Sequence, residues 1–127
     1  MRGAVIDSSA AIDIARGWAV IDLPGLKIYA PELIDLEFGN VLRKLLVRRE
    51  LSEELADGYL AQWTTNRVTR CPHTPLLPRV WELRDNFTAY DASYVALAEY
   101  LGIPLLTTDR RLAHAAAQHS HIEILGD

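Results

Sequence analysis

The stretch that decides the fold is TAYDASYVALAEYLGIPLLTTDRRL, which occupies Thr88–Leu112. Its threonine at position 88 is followed three residues later by Asp91, which predicts a capped helix start, and Gly102 predicts the end of that helix. The apolar run after Gly102 predicts a short buried strand, and Asp109 predicts the start of another helix. A helix, a strand and a helix in this order are typical of an α/β sheet.

Two carboxylates in this stretch lie where such a sheet binds ligands. Asp91 is in the first turn of the predicted helix, and Asp109 comes directly after the predicted strand. Helix starts and strand ends meet at one rim of an α/β sheet, and ligands bind at that rim. Asp91 also falls on the core-facing arc of its helix. That arc contains Tyr90, Tyr94, Val95, Leu97, Ala98 and Leu101. The alternative is that Asp91 only supports the helix start, where a negative charge contributes about 0.3–1 kcal/mol.

The rest of the chain continues the alternation of strands and helices. Apolar runs predict strands at 3–6, 27–30, 67–70 and 122–125. Periodic segments predict helices at 10–16, 32–49 and 51–65, one from Pro75 or Pro78 to about 86, and one from Asp109 or Arg110 to 118. Ser8 and Ser9 are predicted to cap the first helix. The pattern indicates a parallel sheet with helices on both faces.

Composition limits the possible classes of protein. The chain has 127 residues, half of them hydrophobic, which predicts a single domain spanning 1–127. The net charge of −4 argues against binding nucleic acid or membranes through bulk positive charge. The lone Cys71 excludes an internal disulfide. The first apolar run is broken at Asp7, so neither a signal peptide nor a membrane span is expected. We therefore expect a cytoplasmic protein.

Two further acids stand in positions that call for an explanation. Asp7 follows the first predicted strand and adjoins a helix start. Glu37 lies more than one turn into the predicted 32–49 helix, on the margin of its core-facing stripe. The stripe consists of Ile34, Phe38, Val41 and Leu45. A partly buried carboxylate is costly unless it is paired or coordinated, and Asn40 or Lys44 on the same side of the helix is the ordinary candidate for a partner.

The positions of Asp7, Asp91 and Asp109 place all three at the same rim of the predicted sheet. Crowded carboxylates repel one another by several kcal/mol, and a divalent cation is the usual relief. Oxygen ligands without cysteine or histidine indicate Mg²⁺ or Mn²⁺ rather than zinc. One or two such ions would hold a phosphodiester and activate a water for its hydrolysis.

The local sequences around these acids resemble those of a known family. VIDSS at Asp7, PELIDLEFGNVLRK around Glu37, and YDASYVALAEYLGIPLLTTDRRL around Asp91 and Asp109 are similar to the PIN-domain family, specifically to the VapC toxins of bacterial and archaeal toxin–antitoxin pairs. The resemblance covers essentially the whole chain. It implies an α/β fold, a three-layer α/β/α sandwich around a parallel sheet, and a Mg²⁺- or Mn²⁺-dependent endoribonuclease whose acidic quartet is Asp7, Glu37, Asp91 and Asp109.

The resemblance also implies supporting residues and partners. Ser8, Asn40, Thr107 and Thr108 occupy positions where polar residues flank the acidic pocket in the family. The implied protein partner is a VapB-like antitoxin, whose tail covers the pocket, and VapC proteins commonly form homodimers. The implied substrate is RNA.

One helix is more apolar than a single buried face requires. Leu36, Leu46 and Val47 lie outside the core stripe of the predicted 32–49 helix. This predicts a second covered surface, which would contact a dimer mate or an antitoxin helix. Ordinary exposed apolar residues are the alternative.

Basic residues near the acids are candidates for binding substrate phosphates. Arg110 and Arg111 follow Asp109 at a helix start, where the helix dipole disfavours cations, so a binding role would explain them. Arg43 belongs to a second basic cluster, although the last residues of that cluster also suit the end of a helix. Trp18, Trp63 and Trp81 are interpreted as core or interface anchors rather than as base-stacking platforms.

Two other functions remain possible on sequence grounds. A non-catalytic PIN module could use the fold for protein binding, although a scaffold has no need of mutually repelling carboxylates. A PIN nuclease of RNA processing is a further alternative. A Mg²⁺ phosphohydrolase or receiver-like domain is disfavoured, because Ser9 stands where the second acid of an Asp-x-Asp motif would be.

Overall fold

A parallel sheet forms the centre of the protein. The computed structural model describes residues 3–17 and 25–126, and Trp18 lies outside them. Within these ranges the strands are β1 (Gly3–Ile6), β2 (Lys27–Pro31), β3 (Thr69–Cys71), β4 (Leu105–Leu106) and β5 (Ile124–Leu125). They lie in the order β3-β2-β1-β4-β5, and every pair is parallel. The predicted parallel sheet is confirmed.

Helices cover the sheet and form its outer layers. They are α1 (Ser8–Ala15), α2 (Ile34–Val47), α3 (Glu53–Thr64), α4 (Leu77–Glu82), α5 (Ala89–Leu101) and α6 (Arg110–His119), with a 3-10 turn at Thr74–Leu76 before α4. The helix α1 packs on α2 and α2 packs on α3, whereas α4 packs on α5, which contacts β1 and β2. The predicted three-layer α/β/α sandwich is therefore confirmed. None of the helices in these ranges is long and apolar enough to cross a membrane.

The central helix α5 forms much of the core. As predicted, Thr88 caps it by accepting a hydrogen bond from the Asp91 N–H, and Gly102 ends it with a φ of +67°. Every residue from 92 to 98 is buried. The prediction that Tyr90 faces the core was wrong, since this residue is 64% exposed. It lines a surface cavity with Leu33 and Leu77, because the first turn of α5 faces α4 and the turn before α2 rather than the sheet.

Two helix starts differ from the predicted ones. The cap of α1 is Asp7, whose carboxylate accepts from the Ala10 N–H, so Ser8 and Ser9 lie inside the helix and the predicted serine cap was wrong. The helix α2 begins at Ile34 rather than at 32. Pro31 belongs to β2, and the Glu32 N–H donates to the Cys71 carbonyl at 2.9 Å, so pairing with β3 delays the helix.

Other element ends shift for similar reasons. The third strand occupies Thr69–Cys71 rather than 67–70, since Asn66 accepts from the Val68 N–H and holds the chain in a turn there. The last strand is only Ile124–Leu125. The helix after the prolines ends at Glu82, and turns continue the chain to Phe87.

Polar networks join helices to their neighbours. Glu99 on α5 accepts from Arg79 Nε at 2.7 Å, from Arg79 Nη2 at 3.0 Å and from Ser120 Oγ at 2.6 Å, and only 12% of the Glu99 side chain is exposed. On the other side of the sheet, Trp63 is buried, stacks on Phe38 with ring centroids 4.5 Å apart, and donates from Nε1 to Asp35 at 2.7 Å. These contacts confirm Trp63 as a core anchor.

The topology determines where a site can form. Successive crossovers lead from β1 to β2 and on to β3, and the chain then returns to β4 on the opposite side of β1. The carboxyl ends of β1 and β4 therefore flank a topological switch point, where open α/β sheets form a crevice for ligands.

Candidate active site

Four acidic residues stand at four helix starts around this crevice. Asp7 is the N-cap of α1 and Asp109 is the N-cap of α6. Glu37 and Asp91 lie in the first turns of α2 and α5. The later start of α2 explains how Glu37 reaches the rim, which the predicted helix from 32 did not. Each carboxylate therefore faces the positive end of a helix dipole, which partly offsets its charge.

The carboxylate of Asp7 is held on both oxygens. Oδ1 accepts from Ser9 Oγ at 2.9 Å and from the Ala10 N–H at 3.0 Å, and Oδ2 accepts from Thr107 Oγ1 at 2.5 Å. Asp7 is only 4% exposed, and Thr107 is completely buried. Burial raises the pKa of Asp7, these hydrogen bonds lower it, and the charge of Asp109 raises it, with a net rise.

Thr107 and Ser9 connect Asp7 to the loop that carries Asp109. The Asp109 N–H donates to Thr107 Oγ1 at 3.0 Å, and the Thr108 N–H donates to Ser9 Oγ at 3.3 Å. The two hydroxyls lie 3.3 Å apart. The first and last acids of the set, remote in sequence, are thus joined through a shared threonine.

Glu37 is held from the opposite layer. Its Oε1 accepts from the hydroxyl of Tyr94 at 2.5 Å, so its hydrogen-bond partner is Tyr94 rather than Asn40 or Lys44. Burial raises the pKa of Glu37, the Tyr94 hydrogen bond lowers it, and the charges of Asp91 and Asp7 raise it, with a net rise.

Asp91 has a weaker set of contacts. Its nearest cationic group is Arg111 Nη2, at 4.0 Å from Oδ2, and the Arg111 side chain is 82% exposed. Burial raises the pKa of Asp91, the charge of Asp109 raises it further, and Arg111 lowers it. A long contact to a solvated arginine leaves most of the Asp91 charge uncompensated.

Electrostatic repulsion links the four acids into a closed set, which we call the acid ring. Asp7 interacts with Asp109, Asp109 with Asp91, Asp91 with Glu37, and Glu37 with Asp7. Each acid therefore repels two others, and Asp7, Glu37 and Asp91 all have raised pKa values. The ring is a concentration of negative charge that favours a cation.

The donors of the acid ring suit a hard divalent ion. All of them are carboxylate oxygens, the ligands that Mg²⁺ and Mn²⁺ prefer. In the described ranges, no three His, Cys, Asp or Glu side chains stand close enough together to hold one ion. Mg²⁺ is usually bound through one or two carboxylates while it keeps several waters, so pairs of acids within the ring satisfy its needs.

A groove runs from the acid ring along the contact between α1 and α2. It has a volume of about 480 Å³ and is lined by Ser8, Ser9, Ile12, Asp13, Arg16, Val41, Leu45, Thr108 and Asp109. Hydroxyls and the Asp109 carboxylate line the groove near the ring, and both apolar and charged side chains line it farther along the helices. The groove gives an extended ligand a path to the acids.

The other predicted site residues occupy varied positions. Thr107 contacts Asp7 directly, and Thr108 contributes its backbone N–H and lines the groove. Ser8 also lines the groove, whereas the serine that bonds Asp7 is Ser9. Asn40, Arg43, Arg110 and Arg111 are exposed.

Sequence reasoning missed Ser9 and Tyr94 as members of the site. The sequence indicates Ser9 as a helix cap, yet a serine two residues after an acidic cap can also bond the cap's carboxylate. Tyr94 was assigned to the core. A tyrosine on the buried face of a helix needs a partner for its hydroxyl, and that requirement was the available signal.

Comparison with known proteins gives the family. The family model of the PIN domain matches residues 4–118. The chain belongs to the PIN-domain family. This PIN domain is 40% identical over 132 aligned positions to ribonuclease VapC1 of Mycobacterium tuberculosis, with 98% of this chain and 99% of VapC1 covered. The predicted resemblance to VapC proteins is confirmed.

Two solved structures have the same fold as this chain. PAE2754 of Pyrobaculum aerophilum is 25% identical and superposes with a TM-score of 0.67, over 97% of this PIN domain and 83% of that chain. VapBC-5 of Mycobacterium tuberculosis, described as a member of the VapBC family of toxin–antitoxin systems, is 17% identical with a TM-score of 0.65 over the whole of both chains. At that identity the second likeness concerns the fold alone.

Proposed function

We propose that this PIN domain, taken as a single domain over residues 1–127, is a Mg²⁺- or Mn²⁺-dependent endoribonuclease toxin. The observation that carries the proposal is the acid ring, four carboxylates at four helix starts around the switch point of the sheet, with the first and the last joined through Thr107. A purely structural site has no use for the repulsion among these acids, which costs stability. The name of its relative, ribonuclease VapC1, gives the same class of reaction.

In this proposal the acids have distinct tasks. Pairs of acids drawn from Asp7, Glu37, Asp91 and Asp109 would each hold an ion that keeps several waters, and a bound ion would lower the pKa of an attacking water and neutralise charge on the phosphate. Asp7 has both oxygens fixed by hydrogen bonds and serves as the rigid ligand. Asp91 has fewer contacts and is freer to adjust its orientation to the ion.

The substrate in this proposal is RNA. The groove beside Asp109 is open along α1 and α2, and a phosphate bound at the ring would place the adjoining nucleotides in it. Because the acids repel the phosphodiester backbone, cations beside them are needed. Arg110, Arg111 and Arg43 are exposed and are assigned to the flanking phosphates.

A cleavage assay tests the proposal. Purified protein with Mg²⁺ or Mn²⁺ is expected to cleave RNA, and removal of the ion by EDTA should abolish cleavage. Asp91→Asn and Asp7→Asn are expected to lose the activity while circular dichroism shows a folded protein. Asp57→Asn, an exposed acid on α3, is the matched control and should cleave normally. Undiminished cleavage by purified Asp91→Asn would remove the catalytic assignment.

We also propose partners for the exposed apolar surface. Leu36 and Val47 on α2 are 80% and 71% exposed, and Leu77 and Trp81, one turn apart on α4, are 52% and 67% exposed. A VapB-like antitoxin and a second copy of the chain are the proposed partners, as the description of VapBC-5 suggests for the antitoxin. Light scattering of the protein alone tests the second copy, and co-purification with any small protein encoded beside this chain tests the antitoxin. We also propose a cytoplasmic location, where a toxin of this kind would meet cellular RNA.

A further inference from the structure

A phenol hydroxyl from α5 reaches into the acid ring. Tyr94 lies three residues after Asp91, and its side chain is 1% exposed. Its hydroxyl donates to Glu37 Oε1 at 2.5 Å. The charges of Asp7 and Asp91 also act on this hydroxyl, so it lies within the field of the ring. Tyr94 is not among the site residues that the sequence predicts.

The contact compensates for a difference between Glu37 and the other acids. Asp7 and Asp109 are short side chains fixed by the backbone N–H groups of the helices that they cap. Glu37 has one more rotatable bond than an aspartate, and it caps no helix. A long side chain loses more conformational freedom when it is held in one orientation, so it needs a specific partner to be preorganised. Tyr94, rigid in the core, is such a partner.

We propose that Tyr94 is a positioning residue of the acid ring, whose hydroxyl fixes the carboxylate of Glu37 through Oε1 and leaves Oε2 to bind a divalent ion or its water. The hydroxyl links α5 to α2 across the crevice, so it also sets the separation between Glu37 and Asp91. The role toward the ion rests on the proposed function. The Tyr94–Glu37 contact does not.

The first test is metal affinity. Tyr94→Phe removes one oxygen and keeps the ring that packs in the core. Loss of a group that orients a metal ligand typically weakens metal binding or activity by about 10- to 100-fold, and we expect Mn²⁺ affinity measured by calorimetry to fall by this factor. The kcat for RNA cleavage should fall in parallel while KM for RNA changes little, because buried Tyr94 cannot touch the substrate. Tyr90→Phe, on the same helix but exposed, is the matched control.

The second test requires neither metal nor RNA. Urea unfolding of the metal-free protein is measured for Tyr94→Phe, Glu37→Ala and the double variant. If the hydroxyl acts through Glu37, Tyr94→Phe lowers the unfolding midpoint in the wild-type background and does not lower it in the Glu37→Ala background. Equal effects in both backgrounds would overturn the positioning role, since they would mean that the hydroxyl serves the core alone.

The two tests separate the two proposals. A wild type that binds Mn²⁺ and cleaves RNA, with a Tyr94→Phe variant that matches it, refutes the positioning role and leaves the proposed function standing. A wild type that neither binds Mn²⁺ nor cleaves RNA refutes the proposed function and the role toward the ion. Energetic coupling in the metal-free cycle together with weakened Mn²⁺ binding supports the inference.

Discussion

Replacement of Thr107 by valine tests how the acid ring is held together. Valine has nearly the same shape as threonine, so the change removes a completely buried hydroxyl and leaves the packing in place. Three contacts disappear: the hydrogen bond donated to Asp7, the one accepted from the Asp109 N–H, and the longer contact with Ser9 Oγ at 3.3 Å. A hydrogen bond to an ionised carboxylate contributes about 1.5–3 kcal/mol and one between neutral groups about 1 kcal/mol, so we expect a loss of about 2–4 kcal/mol in the free energy of unfolding.

The melting temperature gives the simplest measurement of this loss. For a chain of 127 residues, each kcal/mol corresponds to about 3–4 °C. Thr107→Val should therefore melt about 6–16 °C below the wild type at neutral pH in EDTA. Thr108→Val is the matched control, since Thr108 contributes its backbone N–H to the site. A melting temperature equal to that of the wild type would show that the hydroxyl does not hold Asp7.

The pH dependence of the same variant tests the electrostatic part of the reasoning. The folded-state pKa of Asp7 is raised, so the stability linked to this group is fully present below its unfolded pKa and declines as the pH rises through the folded pKa. The Thr107 hydrogen bond lowers that pKa, so valine raises it further and makes the total decline in stability larger. The deficit of the variant should therefore be smallest near pH 4 and largest above neutrality. A deficit that stays constant with pH would refute this account.

Three further predictions concern other parts of the structure. Asp91→Asn should raise the free energy of unfolding of the metal-free protein by about 1 kcal/mol, because repulsion within the ring is relieved. Mg²⁺ should stabilise this variant less than it stabilises the wild type. Differential scanning fluorimetry measures both effects, and the exposed control Asp57→Asn should show neither of them. Glu99→Gln should lower the free energy of unfolding by about 2–3 kcal/mol at pH 7, because it weakens the ion pair with Arg79. Since the pKa of Glu99 is lowered, its contribution is present above the unfolded pKa and is lost as the pH falls through the folded one, so urea curves of the two proteins should converge in acid. Trp63→Phe should lower the free energy of unfolding by about 1–3 kcal/mol, because the hydrogen bond to the Asp35 carboxylate is lost. The near-UV circular dichroism should also decrease. An unchanged urea midpoint would contradict the assigned contact.

Local sequence predicts those elements that have their own start and stop signals. For α5, the threonine cap and the left-handed Gly102 coincide with the predicted ends. At the start of α1, Asp7, Ser8 and Ser9 can all serve as caps, and local sequence cannot choose among them. The pairing of β1 with β4 ends at Ile6, so Asp7 is the first residue after the strand and becomes the cap.

Proline was ambiguous for a similar reason. A proline can begin a helix or end a strand, and the periodic segment after Pro31 predicts that it begins a helix. In the structure, Pro31 pairs with Cys71, which extends β2 and delays α2. Pairing between residues far apart in sequence decided the boundary, and periodicity carries no information about such pairing.

Some residues of the candidate site can be predicted from local sequence, and others depend on contacts between distant parts of the chain. The positions of Asp7, Asp91 and Asp109 followed from strand ends and helix starts, which local sequence indicates. The helical wheel marked Glu37 as a partly buried acid, but its place at the rim came from the family resemblance, because its predicted helix began too early. Tyr94 was missed because a helical wheel distinguishes a buried side chain from an exposed one but does not show which polar group on another helix meets its hydroxyl.

The distribution of the acids along the chain has a consequence for biosynthesis. Asp7 emerges from the ribosome early, whereas Asp109 and the strand before it come close to the end of the described chain. The threonine that joins the first acid to the last is also a late residue. A nascent chain therefore carries scattered, solvated carboxylates with ordinary affinity for cations, and the ring closes only after the second half of the sheet has been translated. If the ring is the nuclease centre, translation itself keeps the growing polypeptide harmless to the RNA around it.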